Sequence, residues 1–528
     1  MPSPAPTVVD AAAERPRGRG SELDARPPRV WPAAVLVGFA AFVVAVIGSW
    51  IPAAWADEAA TMSAARRSLP ELWHMVHNVD AVHGLYYAAL HVWFEVVPYS
   101  VFSLRLPSAV ATGVAAALTV VLGARLAGRW AGIVAGIVFL LLPRVTSAGI
   151  EGRSYAFTAV VAVTLTLVFV IAVQRTVERR PRAWAWWVLY GAVALLCGLL
   201  FIYEVLILAA HALTLLVWVV RRGGPGGRRP HLRAALWWLV PTALVGVLLL
   251  PFVHLTSGEA AKQLYFMGKM GWGTGILKPV FVLQFFMGSK SMAFVGWLAI
   301  AVGAVTAVAL PRLRHRVPAV ELTLPIILLP PAAIYVASVL VRPLYNARYF
   351  TFETPLVAIA ITLGLTFLPW RRTAVLWLAL LAVLSAPQWS SQRQPMAKDG
   401  STWDTATALI QRERAAEPAG TRDAIYYGPL PSHVNRTTEF VEASYPQAFA
   451  GMRDLTVERS AVSIGELWAQ RRPVTAPLPD LSDVDRIWFV GEPTADQPRV
   501  LQDQIGSTWH TADEWKDGAF VIKVYERD

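Results

Sequence analysis

From Trp31 to Ile51 the chain carries no charge, and that run is as long as a helix needs to cross a bilayer. Ten further runs of this kind follow. In hydrocarbon each backbone N–H and C=O has to be satisfied within its own segment, so a chain with many such runs is confined to a bundle of membrane helices. The expected spans are 31–51, 103–124, 130–148, 154–174, 184–201, 204–220, 234–253, 290–310, 319–341, 349–368 and 373–387. Only 16% of the 528 residues are charged, against about 25% in soluble domains, and 22 are Trp, which suits interfacial anchoring. The fold class expected is therefore a polytopic α-helical membrane protein with about eleven transmembrane helices.

A net charge of +11 invites a nucleic-acid partner, but the arginines cluster between the apolar runs, which excludes that class. Arg15 to Arg29 precede the first span, Arg125 and Arg129 follow the second, and Arg175 to Arg182, Arg221 to Arg233, Arg312 to Arg316 and Arg371 with Arg372 come later. Eleven spans put all of them on one side, which should be cytoplasmic. The expected location is the plasma membrane, with a cytoplasmic N-terminus and an extracytoplasmic C-terminus. Residues 1–29, rich in Pro, Ala, Gly and Arg, read as a disordered cytoplasmic tail. The first run is too long for a signal-peptide core. The lone Cys197 allows no internal disulfide.

The stretch His83–Val97 is apolar, but counting it as a span would invert every later connection. It is short and carries His91 and Glu95, so it reads as a helix along the outer surface, as does Glu58–Arg67. Residues 30–387 then form the membrane domain, with a first outer loop at 52–102. The composition turns polar at residue 388. Strand-like runs at Asp423–Tyr427, Arg486–Val490 and Phe520–Tyr525, with a helical stretch at Thr402–Arg414, predict an extracytoplasmic α/β domain over 388–528 of two or three layers. Gly223 to Gly227 reads as a flexible turn without the context of a phosphate loop, and Asn435-Arg436-Thr437 matches a short glycosylation sequon.

The polar residues that face this outer side are the candidates for chemistry. Asp57 and Glu58 follow the first span directly, and holding acids at a membrane face is costly unless something uses them. A carboxylate there can take a proton from an attacking hydroxyl. The alternatives are an N-cap role for Asp57 and a helix-dipole role for Glu58. Asp80 and His83 sit three apart, as a hydrogen-bonded pair or two ligands of a divalent cation would. Glu151 and Arg153 could pair with each other. Arg153, Arg342 and Arg348 are outer cations against the charge bias, and an anionic lipid phosphate would partner them. Tyr345 and Tyr349 flank Arg348 and also fit an interfacial aromatic belt.

Several segments in this order carry a resemblance: WADEAATMSAARRSLPELW after the first span, then VDAVHGLYYAALHVW, LRLPSAVATGVAAAL, EGRSYAF and NARYFTFETP. Together they resemble the GT-C superfamily of membrane glycosyltransferases, in particular the protein O-mannosyltransferase-like branch of actinobacteria, over most of residues 31–387. The resemblance implies an extracytoplasmic active site and a polyprenyl-phosphate-linked sugar as donor, mannose first. It implies that Asp57 is the catalytic base and that Arg348 meets the donor phosphate; Arg153 and Arg342 are the reserve candidates, by their outer position and charge. Asp80, His83, Tyr345 and Glu151 would contact substrate. Asp80-Ala81-Val82-His83 departs from the His-Pro-Pro type of sequence common in relatives, which puts a metal role there in doubt. The acceptor would be a glycan, a glycolipid or a protein. The rival readings are an arabinofuranosyltransferase of the same fold and a lipid or polysaccharide flippase, although flippases usually show repeated halves and none is visible here.

Overall fold

The computed structural model describes residues 30–221, 228–263, 271–368, 371–430, 437–492, 496–518 and 520–528. The N-terminal tail, the Gly223–Gly227 turn and Asn435-Arg436 of the sequon lie outside the described residues.

Helix α1 (Trp31–Val46) stops before the expected end of its apolar run. Gly48, at φ 74°, turns the chain in a conformation that a Cβ disfavours, and Pro52 prevents the helix from resuming. Three short helices follow: α2 (Ala56–Ala65), α3 (Leu69–Val76), whose first turn is closed by a Ser68–Glu71 capping box, and α4 (Gly84–Phe94). At 11 residues α4 is too short to cross a bilayer. The bundle continues with α5 (Val101–Ala127), α6 (Arg129–Leu141), α7 (Pro143–Ala148), α8 (Tyr155–Val177), α9 (Ala183–Leu200), α10 (Leu206–Arg221), α11 (Arg228–Gln263), α12 (Lys290–Ala309), α13 (Val317–Leu340), α14 (Thr354–Leu365) and α15 (Arg371–Ser391).

Each of the eleven expected spans coincides with helix. Among the described residues, however, only eight helices are long and apolar enough to cross a membrane. The expected count of eleven is not reached, because α1, α6 and α14 have 16, 13 and 12 residues. Pro143 ends α6 and restarts the chain as α7, since the residue before a proline is driven out of the helical region. Helix α14 is buried along its whole length and is preceded by 3-10 turns over Ala347–Glu353. It is a central core helix, and it approaches α12 so closely that a Cβ on Gly364 would sit 1.9 Å from the Ala299 carbonyl oxygen.

The C-terminal region opens with α16 (Trp403–Ala415), one residue from its expected limits, and builds a five-stranded sheet. Its strands are β1 (Asp423–Tyr427), β2 (Arg453–Asp454), β5 (Arg486–Gly491), β6 (Trp509–Asp517) and β7 (Phe520–Arg527), in the order β2-β1-β5-β7-β6. A separate pair is made by β3 (Val457–Arg459) and β4 (Gln470–Arg471). β1 runs parallel to β2 and β5, and β7 antiparallel to β5 and β6. Alternate residues enter two cores, as the period of two in a strand requires. Ala424, Tyr426, Ile487 and Phe489 face the layer holding Leu501 and Ile505, whereas Ile425, Tyr427, Trp488 and Val490 share a core with α2, α3 and α4. The short helices that follow α1 are thus packed against the C-terminal sheet domain as well as the bundle.

Candidate active site

Helix α2 carries the acidic pair, and its N-cap is Trp55 in extended backbone. Asp57 therefore lies inside the first turn and is not the N-cap. An acid in that turn is favoured by the helix dipole. Arg348 Nη1 stands 2.8 Å from Asp57 Oδ2, and Arg153 Nη2 stands 3.8 Å from Oδ1. Arg348 also lies over the rings of Trp55 and Tyr155, at 5.2 and 5.8 Å from their centroids, which fixes its guanidinium from the sides. Residues far apart in sequence thus converge on one carboxylate.

Glu58 does something different. Its carboxylate is fully buried and takes two hydrogen bonds from Arg105 of α5, Nε to Oε1 at 2.8 Å and Nη2 to Oε2 at 2.6 Å. The Gly152 amide donates a third at 2.9 Å. Arg105 spends its remaining donors on the carbonyls of Ser49, Pro52 and Ala53. Burial works to raise the Glu58 pKa, but Arg105 outweighs it and holds the carboxyl below the usual range. Glu58 does not line the cavity beside Asp57. Glu58, expected beside Asp57 in the chemistry, is placed away from the cavity, where its pair with Arg105 locks the α1–α2 connection onto α5.

Asp57 lines a cavity of about 370 Å³, within the range of small-molecule sites. Asp80, His83, Arg153, Arg342 and Arg348 line it too, so five of the expected site residues surround Asp57. Tyr87 OH donates to Asp80 Oδ2, and Arg153 Nη1 donates to that hydroxyl oxygen at 2.7 Å. The expected Asp80–His83 pairing is replaced by this Asp80–Tyr87–Arg153 chain. Burial pushes the His83 imidazole down to about 4, with Arg153 adding to the shift, so it is neutral at pH 7. Among the described residues no three His, Cys, Asp or Glu side chains converge as metal ligands, so Asp80 and His83 find no third partner for a divalent cation. Arg342 is half-buried and makes no ion pair among the described residues.

Two further expectations change. Tyr345 does not reach the cavity. Its ring is buried, and its hydroxyl donates to Gln284 Oε1 at 2.7 Å, while Gln284 Nε2 donates to Glu353 at 3.1 Å. Tyr349 lines the cavity instead, in an aromatic wall with Tyr155, Phe201 and Tyr203. Glu151 also stays outside the cavity and does not pair with Arg153; its partner is Lys398, at 3.8 Å. Burial pushes the Lys398 amine below its ordinary value against the pull of Glu151 and Glu58.

Lys398 belongs to a connector that ties α15 and the sheet domain to the approach to Asp57. Arg393 donates to the carbonyls of Val44 and Ile47, Ala53 N–H donates to Pro395 O at 3.0 Å, and Ser401 Oγ donates to Ala54 O. Ala54 N–H in turn donates to the Tyr445 hydroxyl at 2.9 Å. Sequence reasoning missed Arg105, Tyr87, Lys398 and Tyr445; only Arg105, a charge inside an apolar run, carried a signal that could have marked it. A second cavity, of about 700 Å³, is almost wholly apolar and lies between α3, α4, α9 and α11. It adjoins the first: Val253 and Val82 line one, while their neighbours His254 and Ala81 line the other.

No protein-family model and no curated protein matches the chain. Solved structures do. ArnT from Cupriavidus metallidurans, crystallised with undecaprenyl phosphate, aligns at a TM-score of 0.55 and 14% identity over 93% of this chain and 97% of that one. Its apo form gives 0.54 at the same identity and coverage. The Archaeoglobus fulgidus oligosaccharyltransferase reaches 0.44 at 12% identity, over 87% of this chain and 69% of that one. At such identities the likeness is one of fold. The fold is shared with ArnT: in this chain, a membrane helix bundle followed by a sheet-containing domain.

Proposed function

From a GT-C fold with Asp57 held between guanidiniums, we propose that this chain is an inverting glycosyltransferase. It moves a sugar from a polyprenyl-phosphate donor to a hydroxyl of an extracytoplasmic glycan, glycolipid or protein. The observation that carries the reading is the cavity in which Arg348 and Arg153 flank Asp57 while Arg342 makes no ion pair among the described residues. Two carboxylates, Asp57 and Asp80, face three guanidiniums there, and a phosphate would redress that excess of positive charge. The undecaprenyl phosphate bound by ArnT supports the same donor class.

The acceptor oxygen attacks the anomeric carbon as the bond from that carbon to the phosphate oxygen breaks. Its proton passes to Asp57, and the polyprenyl phosphate leaves with the bonding electron pair. A phosphate needs little protonation to depart; it needs positive charge, which Arg342 and Arg348 supply. Arg153 keeps Asp57 in place. A single in-line displacement inverts the anomeric centre. The neighbouring apolar cavity suits the isoprenoid chain or an acyl chain of a lipid acceptor. Mannose is the preferred sugar, on the O-mannosyltransferase-like segments. The cavity is lined from the start of α8 and the end of α11, whereas the arginines of Arg175–Arg182 and Arg228–Arg233 lie at the opposite ends of those helices. That supports an extracytoplasmic site in the plasma membrane.

The test is transfer by purified protein from polyprenyl-phosphate mannose, and from the arabinofuranose analogue, to a cell-envelope extract, with the anomeric configuration of the product read by NMR. Inverted product supports the reading. Retention contradicts a single displacement, and movement of intact lipid between leaflets without transfer would favour a flippase.

A further inference from the structure

The other end of the bundle holds a second cation-lined cavity that the proposed transfer does not use. Arg105, near the start of α5, is tied to the Asp57 site. Ala127, at its end, is roughly 30 Å of helix away, a bilayer core's thickness. There a cavity of about 280 Å³ lies at the α5–α6 turn, between the segment before α13 and the ends of α14 and α15. Arg312, Arg316 and Arg371 line it with Trp130 and Thr366, and among the described residues no carboxylate does.

Arginines on this side are expected from charge bias alone, but a solvated arginine does not need to be fixed. Two of these are. Arg316 Nη1 donates to Leu363 O at 3.1 Å and to Thr366 Oγ1 at 3.0 Å, and its Nε is buried without a hydrogen-bond partner. Arg371 lies over the Trp130 ring at 5.8 Å. None of the three makes an ion pair among the described residues, although acid partners steady other arginines at this end, as Glu321 does Arg221. A group of guanidiniums lining one cavity, two of them held in place, is arranged for a tetrahedral oxyanion, whose oxygens the planar fork matches.

We propose that this cavity binds a phosphate group, either the headgroup of an anionic phospholipid in the adjoining leaflet or a soluble phosphate. Two arms separate the sources. Native mass spectrometry of the purified full-length chain compares phosphatidylglycerol with phosphatidylcholine; thermal melting compares inorganic phosphate with chloride at equal ionic strength. The variants are Arg312→Gln/Arg371→Gln, which alters exposed side chains and leaves the Arg316 bonds intact, and Arg316→Gln. Wild type should prefer phosphatidylglycerol, and each guanidinium removed should weaken that binding about tenfold. A variant-sensitive shift with inorganic phosphate alone assigns the site to a soluble phosphate. If neither phosphate source distinguishes wild type from the double variant, the arginines are a solvated face and the site does not exist.

Discussion

Glu58→Gln separates a positioning role from a chemical one. The substitution keeps size and shape but removes the charge opposite Arg105, and both side chains are fully buried. Breaking one partner of a buried pair typically costs about 3–5 kcal/mol, because the other charge is left uncompensated. That is a large share of the roughly 5–15 kcal/mol that holds a protein folded. Arg105 would keep its bonds to Ser49, Pro52 and Ala53, so the loss should fall at the low end. Melting of the detergent-purified variant, followed by size-exclusion fluorescence, should show a clear drop in transition temperature, and Asp57→Asn should not. A pH series adds a sign check. A carboxyl held below its usual pKa when folded stabilises above its unfolded value near 4.3, and that stabilisation is lost as pH falls through the folded value. Wild type should therefore lose stability in acid that Glu58→Gln has already lost. A Glu58→Gln variant as stable as wild type but without activity would refute the reasoning and return Glu58 to the chemistry.

Arg342→Ala should raise the donor KM about tenfold, the loss expected for one charge-assisted contact, with kcat largely kept; Arg348→Ala should lower kcat as well, and Arg348→Lys should not restore it, which steady-state kinetics would read. Tyr445→Phe leaves the Ala54 amide without its acceptor three residues before Asp57, so kcat should fall while the donor KM holds; an unchanged kcat would mean that the sheet domain does not steady the site. His83 is held neutral by burial, with a folded pKa of about 4 against about 6.5 unfolded, so stability should be fullest above pH 6.5 and fall by about 3 kcal/mol as pH drops to 4. Melting temperature against pH should flatten in that window for His83→Gln, and a parallel curve would contradict the assignment.

Apolar run length located every helix of the bundle, but not where several of them stop. Helix α1 ends early through Gly48, a residue whose effect depends on a backbone angle, and α14 reads as a span because a helix buried within a bundle is as apolar all round as one in lipid. In the sheet domain β1 stands at its expected limits, since both of its faces are buried and Ala424–Tyr427 reads as an apolar run. The edge strand β6, WHTADEWKD, has mostly solvent-facing polar residues and gave no such signal. Asp57 and the outer arginines were legible because a charge at a membrane face is conspicuous. The role of Glu58 was not, because Arg105 lies 47 residues on, inside an apolar run. Lys398 and Glu151 are likewise paired only by tertiary folding. Tyr345 and Tyr349 are both tyrosines beside Arg348, and only the 3-10 turns after Asn346 decide which faces the cavity.

The central claim is that Asp57 takes the acceptor's proton. Its most direct test is the rate of sugar transfer from a saturating polyprenyl-phosphate donor by purified wild type, Asp57→Asn and Asp57→Ala, each shown by melting to be folded. The account predicts a loss of about a hundredfold to ten-thousandfold in both variants with donor binding retained, as expected for removal of a general base. Transfer by Asp57→Asn at more than about a tenth of the wild-type rate would contradict it, since a base that can be removed so cheaply is not the base.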